Sequence, residues 1–555
     1  MTVADAMVRS LQRLGVRHIF GLPGSTEGPL LHALADVDSP AYVLGLHENI
    51  AAAMADGYAR ASGDMSVVSL HTSVGTGNAV SQIMNAFVDR SPVVALIGHK
   101  DARLANRDGF CTVEDLSGML RPFTKWSREV ADANLAVEDL ERAALIATTR
   151  PRGPVALVIT EDKARARFDR AGDGQPAPGP ATVGGYRPDC EGLEAAARAL
   201  ASAQRPLLIA GDGVAWTGAS RILEAVAETF GCPILQEPRR SASRMNCSTE
   251  HPNFCGEYSP DHPAARDADV ILAVGARIFV EFEPVAASEL PAGAYFIHIH
   301  EDPAELGKRY TPDLGLIGTA SDALADLRAL AEEMGHRPRK TDDRLMSLRR
   351  GFKRRIEDSR ATSPDEHFGV AAVSRILDDE LPSDVMVFDE GVRSSRVLLQ
   401  HLSLPGGRSY HRSTGGAIGW GLPAAIGAQI ACPDRRVVLF VGDGSALLTI
   451  QALWTAARYE VPVTVLIANN RGYQAVQAAV EKQQGQGARA VAVGAVIDQP
   501  APSFVRLAEG FGVSAVSVGR HEELRLAIKE AGNTPGPSVI ELALSGREHV
   551  GATSS

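Results

Sequence analysis

The sequence predicts an α/β protein made of three successive αβ domains, each folded around a parallel sheet. Three observations lead there. At roughly 100 to 200 residues per domain, 555 residues should divide into about three units. Hydrophobic residues make up 45% and charged residues 22%, an ordinary balance for a globular chain, and the alanine- and glycine-rich, aromatic-poor character suits helices alternating with buried strands. Short Val/Ile/Leu runs recur between helical patterns, which is the order of βαβ units.

In chain order, the first segment reads as an apolar stretch at 42–46, an Ala-rich helix at 49–61, a strand at 67–70, a Gly-rich turn, a helix, and a strand at 93–97. The pattern breaks into Gly and Pro near "RARFDRAGDGQPAPGPATVGGYRPD" (165–189), the composition of an exposed linker. A second αβ segment follows, with strands at 207–210, 270–274 and 295–300. Next comes the charged stretch "EEMGHRPRKTDDRLMSLRRGFKRRIED", read as a solvated helix and linker, and then a third segment from about Ser363 to Leu544. The expected domains are residues 1–165, 185–335 and 360–545.

The first and third segments echo each other: Pro92 lies 25 positions after Val67 and Pro462 lies 25 after Val437, with the same sequence of strand, Gly-bearing turn, helix and proline. A duplicated unit is expected. In parallel sheets ligands sit beyond the strands' carboxyl ends. His71 and Gly75 fall there in one unit, and Asp443 and Ser445 in the other.

The composition also excludes partners. The net charge of −11 is spread along the chain, without the basic tract a nucleic-acid binder shows. The N-terminus lacks the positive head and apolar core of a signal peptide, and no apolar run approaches the ~18 residues of a membrane span. Cys111, Cys190, Cys232, Cys247, Cys255 and Cys432 form no CxxC pair, which suits a reducing compartment. A cytoplasmic enzyme is expected, binding neither nucleic acid nor membrane.

The chemistry concentrates in "LFVGDGSALLTIQALWTAARYEVPVTVLIANNRGY". A strand ending at Val441 delivers Gly442-Asp443-Gly444 to a helix start at Ser445, whose free N–H groups attract phosphate. The next parallel strand ends at Ala468, so Asn469 and Asn470 emerge on the same edge. Asp443, Asn470 and the Gly472 carbonyl can then converge as oxygen ligands for a hard cation held against a diphosphate. A second Gly-Asp-Gly, around Asp212, has Arg239 at the matching spacing and reads as a plain strand-ending turn.

These residues resemble the cofactor motif of thiamin-diphosphate enzymes. Within that superfamily the chain is similar to the benzoylformate decarboxylase branch, through "FGLPGSTE" at Phe20, "LHENIAAAMADGYARASG" at Leu46, "LHTSVGTGNA" at Leu70, "LRPFTKWS" at Leu120, "GGAIGWGLPAAIGAQIA" at Gly415 and "GDGSALLTIQALWTAARYEVP" at Gly442. The resemblance implies a pyrimidine-binding first domain, a Rossmann-like central domain and a diphosphate-binding third domain, the first and third homologous. The implied cofactors are thiamin diphosphate and magnesium (Mg²⁺).

By the same resemblance, Glu48 contacts the aminopyrimidine and favours its imino form, which activates the thiazolium carbon. Ile418 props the cofactor into its bent shape, and the Gly416 carbonyl accepts from its amino group. Gly444 and Ser445 meet the diphosphate, Tyr473 follows the ligand loop, and Glu390 belongs to a loop ("EGVR") lining the pocket, with Arg393 where a small hydroxyl residue is expected. His71 matches a histidine that transfers protons. Ser25 matches a serine that holds the substrate carboxylate, or caps a helix. His47 points away from its neighbour's face.

Three departures bear on substrate. Aligning "GARIFVEFEP" puts Phe282 where the decarboxylases carry a second histidine. Arg412 replaces an aromatic pocket residue, and Ala479 a bulky apolar one. An arginine in a roomier pocket points to a larger or anionic substrate. The implied reaction is decarboxylation of a 2-oxo acid, the product being protonated or joined to an aldehyde acceptor. The implied assembly is a homodimer or homotetramer with active sites at the subunit interface. An acetolactate synthase-like carboligase or a 2-hydroxyacyl-thioester lyase is the alternative within enzymes; a non-catalytic thiamin-diphosphate binder is the alternative outside them.

Overall fold

The computed structural model describes residues 1–105, 107–168, 186–282, 284, 288–339, 342–362, 368–404, 409–485 and 493–544. Most of the Gly/Pro stretch expected as the first linker, and the expected start of the third segment at Ser363, lie outside the described residues.

The chain forms three six-stranded sheets in which all named neighbours run parallel. The first contains β1 (His18–Gly21), β2 (Ala41–Leu44), β3 (Ser66–His71), β4 (Val93–His99), β5 (Trp126–Glu129) and β6 (Val155–Thr160), in the order β2-β1-β3-β4-β6-β5. The second contains β7 (Pro206–Ala210), β8 (Ile234–Gln236), β9 (Phe254–Glu257), β10 (Val270–Val274), β11 (Tyr295–His300) and β12 (Leu314–Ile317). Its order is β12-β11-β10-β7-β8-β9, that of a dinucleotide-binding sheet. The third contains β13 (Met386–Glu390), β14 (Ser409–His411), β15 (Val437–Gly442), β16 (Thr464–Asn469), β17 (Ser514–Val518) and β18 (Ser538–Ala543). Its order, β14-β13-β15-β16-β18-β17, repeats the first sheet strand for strand. The α/β class, the Rossmann-like centre and the duplication of the outer domains are thereby observed.

Helices cover both faces, so the central strands are apolar throughout: every residue of "VVALIGH" in β4 and "VALVIT" in β6 is buried. Local details differ from the sequence expectations. The stretch containing Gly75 and Gly77 is not a turn; it lies inside the helix Thr72–Val88, which begins directly after β3. Glu48 does not end a strand but opens the helix Glu48–Ser62, whose cap is His47. The helix after β15 starts at Asp443 rather than Ser445, because the carboxylate itself accepts a backbone N–H of the first turn. The charged stretch after the second sheet is fastened rather than free: the His336 ring stacks on Phe230, and Arg339 donates to the Ala201 carbonyl.

The first and third domains share one apolar core, running from Phe20 and Val68 through Ile50, Met54 and Ile426 to Leu439 and Val465. At its centre the helix Glu48–Ser62 crosses the helix Gly421–Ala431 backbone to backbone. A Cβ on Gly57 would lie 2.0 Å from the Ala424 carbonyl oxygen, and one on Gly427 would lie 2.0 Å from that of Met54. Beside this crossing the guanidinium of Arg60 grips Asp56 at 2.8 and 2.9 Å and Asp89 at 2.6 Å, and donates to the Arg412 carbonyl at 2.7 Å. Burial alone would lower the Arg60 pKa; Asp56 and Asp89 outweigh it and hold it above its ordinary value. Asp56 also accepts the Trp420 indole N–H at 2.7 Å, and Asp89 accepts from Ser413 and Thr414.

Gly57→Ala should therefore force the two helices apart. Overpacking of this kind costs about 1–3 kcal/mol, expected as a lower urea midpoint followed by the fluorescence of Trp420, which sits in the contact.

Candidate active site

Both outer sheets reverse their winding between their first and third strands, and a crevice opens at the carboxyl ends there. In the first sheet these ends belong to β1 and β3. The segment after β1 carries Ser25, Thr26 and Glu27, and β3 ends in His71. The His71 Nδ1 lies 3.0 Å from Glu27 Oε2 and 2.9 Å from Thr26 Oγ1, while Thr26 donates to Glu27 Oε1 at 2.5 Å. A proton on Nδ1 satisfies this pair and leaves Nε2 as the free nitrogen. Glycines make the room: a Cβ on Gly24 would meet His71 Nδ1 at 2.2 Å, and one on Gly98 would meet Glu27 Oε1 at 2.0 Å.

Glu48 is buried against the opening turns of the helix Thr72–Val88, where Asn78 donates to its Oε2 at 3.0 Å and Gly75 leaves space for Oε1. Thr72, between His71 and that helix, has φ +45°, a left-handed conformation costly for a β-branched residue. Ser25 is exposed and accepts a hydrogen bond from Lys100 Nζ at 2.8 Å. The structure thus brings Ser25, Glu48 and His71 to one sheet edge. Sequence reasoning missed Glu27, Asn78 and Lys100; the clue to Glu27 was "PGSTE", where attention went to Ser25 as a carboxylate-holding or capping residue and Glu27 was left as its helix neighbour.

The third sheet offers β13 and β15. Asp443 Oδ2 accepts from the backbone N–H of Asn470 and of Gly472, each at 3.1 Å, and Oδ1 from that of Gly444 at 2.7 Å. Asp443 and Asn470 do converge. Burial pushes the Asp443 carboxyl above its ordinary pKa despite these bonds. Asn470 Oδ1 is buried without any hydrogen-bond partner, and Arg471 beside it has φ +58°. The Gly472 carbonyl accepts from Gln474 N–H. The Tyr473 ring covers Gly444, where a Cβ would lie 2.4 Å from it, and Ser445 is buried in the same turn.

Glu390 ends β13, but both its oxygens are spent on the backbone N–H groups of Trp420 and Gly421, at 3.0 and 2.9 Å, and burial raises its pKa to about 7. Gly416 has φ +87°, and Ile418 is 38% exposed in the single chain. Their loop is clamped from the first domain: Asn85 donates to the Ala417 carbonyl at 2.9 Å and accepts from Ala417 N–H at 3.2 Å.

Other sequence candidates lie elsewhere. The Arg412 guanidinium turns to the central domain and donates to the Arg239 carbonyl at 2.7 Å, because β14 delivers it beside the segment at Ser243. Phe282 is 87% exposed, and Ala479 lies exposed on the helix Gln474–Gln484. Asp212 is buried, its carboxylate accepting from Ser243 and Arg244, as a structural turn would have it.

Three family profiles match along the chain: the N-terminal TPP binding domain of thiamine pyrophosphate enzymes over residues 1–119, their central domain over 193–327, and their C-terminal TPP binding domain over 392–542. A benzoylformate decarboxylase of Pseudomonas aeruginosa is 32% identical, covering 98% of each chain. The chain belongs to the thiamine pyrophosphate enzymes. An acetolactate synthase isozyme 3 large subunit of Escherichia coli is 29% identical over 99% of this chain and 95% of its own. The solved structure of a thiamine diphosphate-dependent 4-hydroxybenzoylformate decarboxylase from Rhodococcus jostii RHA1 superimposes with a TM-score of 0.86, at 28% identity, over 99% of this chain and all of that one.

The cofactor of these enzymes is thiamine diphosphate, used with a divalent metal such as Mg²⁺. The residues here fit that pair. Among the described residues no three His, Cys, Asp or Glu side chains cluster as a metal site. What remains is one carboxylate, one amide oxygen with nothing to bind and a carbonyl, the hard-oxygen set of an ion that completes its shell with phosphate and water.

Asn470→Ala tests the fit. An unsatisfied buried oxygen costs about 1–3 kcal/mol, so the variant without cofactor should melt no lower than the parent, while the rise in Tm on adding thiamine diphosphate with Mg²⁺ should shrink.

Proposed function

We propose that this thiamine pyrophosphate enzyme decarboxylates a 2-oxo acid, in the manner of the benzoylformate decarboxylases it resembles, and either protonates the product or joins it to an aldehyde. The observation that carries the reading is the His71–Glu27 pair, held 3.0 Å apart at the start of the helix against which Glu48 packs. A decarboxylase must put a proton where the carboxylate was, and a tethered imidazole is suited to that.

When bound, the cofactor supplies a carbon nucleophile for the 2-oxo group and holds the electron pair left as carbon dioxide departs. The chain's residues do the rest. Asp443, Asn470 and the Gly472 carbonyl would hold the metal, Gly444, Ser445 and Tyr473 would face the diphosphate, and Ile418, Gly416 and the segment at Glu390 would line the pocket. Glu48 would hold a proton at the pyrimidine nitrogen. Ser25 would orient the substrate carboxylate, and His71 would carry the proton to the former carbonyl carbon. Catalysis is thus assigned to Glu48, His71 and Ser25, with Glu27 positioning His71.

The active unit in this reading is a homodimer or homotetramer with the site at the subunit interface. Ile418, Val392, Leu448 and Val74 accord with that, since all four are large apolar residues left exposed in a single chain on the loops and helix ends that follow the site strands. A cytoplasmic setting goes with the reading. All six cysteines are free, and no helix among the described residues is long and apolar enough to cross a membrane.

The carboligase reading draws on the acetolactate synthase relative and on Phe282 in place of a histidine. Against a nucleotide-using version stands the central domain, where the N–H groups of Gly211 and Gly213 already donate to the Val274 and Gly275 carbonyls. The loops at its switch point bond to each other.

The Mg²⁺- and thiamine diphosphate-loaded enzyme should release carbon dioxide from at least one member of a 2-oxo acid panel, with product masses, with and without added aldehyde, separating decarboxylase from carboligase. No release across the panel would overturn the proposal. Glu48→Gln should still bind cofactor by calorimetry, with kcat lowered roughly 100- to 10,000-fold.

A further inference from the structure

A cation stands at the edge of this site without a counter-charge. Lys100 immediately follows β4, the strand next to β3, and it is half-buried. Its ammonium reaches the Ser25 hydroxyl at 2.8 Å and forms no ion pair among the described residues. The acids around it are committed elsewhere. Glu27 is taken by Gly24 N–H, Thr26 and His71. Asp101 is held by Arg103 at 2.6 Å, and Asp162 by the Ala102 N–H at 2.9 Å.

Other partly buried lysines are not left this way. Lys125 donates to the Ile146 and Thr149 carbonyls, and Lys163 to the Val130 carbonyl with Glu129 at 3.6 Å. An ammonium with one neutral hydroxyl partner keeps N–H donors free, and a bound carboxylate is the charge-assisted partner that fits them.

We propose that Lys100 selects a substrate bearing a second carboxylate, one that stays on the molecule when carbon dioxide leaves. The proposal rests on the decarboxylase reading for the nature of the substrate, and on the Lys100–Ser25 geometry for the site. The leaving carboxylate is the wrong target. An ion pair to it would be strongest in the ground state and would weaken as its charge disperses into neutral carbon dioxide, which raises the barrier. A carboxylate retained through the reaction carries no such penalty. Two sources share this chemistry: the far carboxylate of a dicarboxylic 2-oxo acid donor, and the carboxylate of a 2-oxo acid that serves as acceptor. Arg412, where the sequence suggests such a cation, is turned to the Arg239 carbonyl, so Lys100 takes that role.

The test uses the holoenzyme and two matched pairs. In the donor arm, kcat/KM for 2-oxoglutarate is compared with that for 2-oxopentanoate, in which a methyl replaces the far carboxylate. In the acceptor arm, product yield with glyoxylate is compared with that from acetaldehyde. Independently of turnover, calorimetry compares glutarate with pentanoate binding. In the parent, the carboxylate-bearing member should be preferred in one turnover arm and in binding. Lys100→Met should lower that preference on the order of 10- to 100-fold, the size of a charge-assisted contact, with Lys100→Arg retaining more of it than Lys100→Met or Lys100→Gln. A purely structural lysine would move both members of each pair together, and unchanged ratios in all three comparisons would overturn the proposal. If no 2-oxo acid is turned over and glutarate binding still falls in Lys100→Met, the anion site stands and the decarboxylase reading fails.

Discussion

The buried guanidinium of Arg60 is the interaction on which the rest of this structure depends. It joins Asp56 on its own helix to Asp89 at the end of the next, and it reaches the Arg412 backbone in the third domain. The side chains of Arg60, Asp56 and Asp89 are at most 1% exposed, so removing one partner would strand a charge, a defect that typically costs about 3–5 kcal/mol. Asp89 also receives Ser413 and Thr414, while Arg277 of the central domain donates to Thr414. All three domains therefore meet at the residues that launch the Gly416–Ile418 loop. Where that loop sits follows from where Arg60 sits.

Around this clamp the duplicated sheets divide the labour. Their strand order is the same, and so is the position of the crevice, but the residues delivered there are opposite in kind. The first sheet delivers titratable side chains, Glu48 and His71 with Glu27; the third delivers the Asp443 carboxylate, the unpartnered Asn470 amide oxygen and a glycine floor under Tyr473. The central sheet, in the 3-2-1-4-5-6 order, closes its own crevice with Gly211, Gly213 and Gly275, and contributes Arg277 as a brace.

Much of this was legible in the sequence, because the informative residues sit at strand ends. Val-rich runs fix the strands, parallel order fixes the edge at which they finish, and Asp443 and Asn470 then fall together. The same logic separated Asp443 from Asp212, whose carboxylate is taken up by Ser243 and Arg244. What was not legible depended on which strands are neighbours. Glu27 and His71 are 44 positions apart, and only the β1–β3 adjacency makes them partners. Glu390 ends β13 where the pocket loop was expected to begin, and its oxygens cap the helix at Trp420, a contact set by tertiary packing. Arg412 was read from its neighbours in sequence, whereas its direction is set by the central domain. The Gly75–Gly77 stretch looked like a turn because glycine marks turns, but here the missing side chain serves Glu48 within a helix.

The joint at Thr72 has a further consequence. Strand passes into helix there with no intervening loop, through a left-handed threonine wedged at φ +45°. A junction without slack cannot act as a hinge, so the imidazole just before it inherits the rigidity of the sheet. Evolutionary retuning of such an enzyme has to proceed by exchanging the side chains that ring a stationary histidine, much as a lathe changes its tools while the spindle stays fixed.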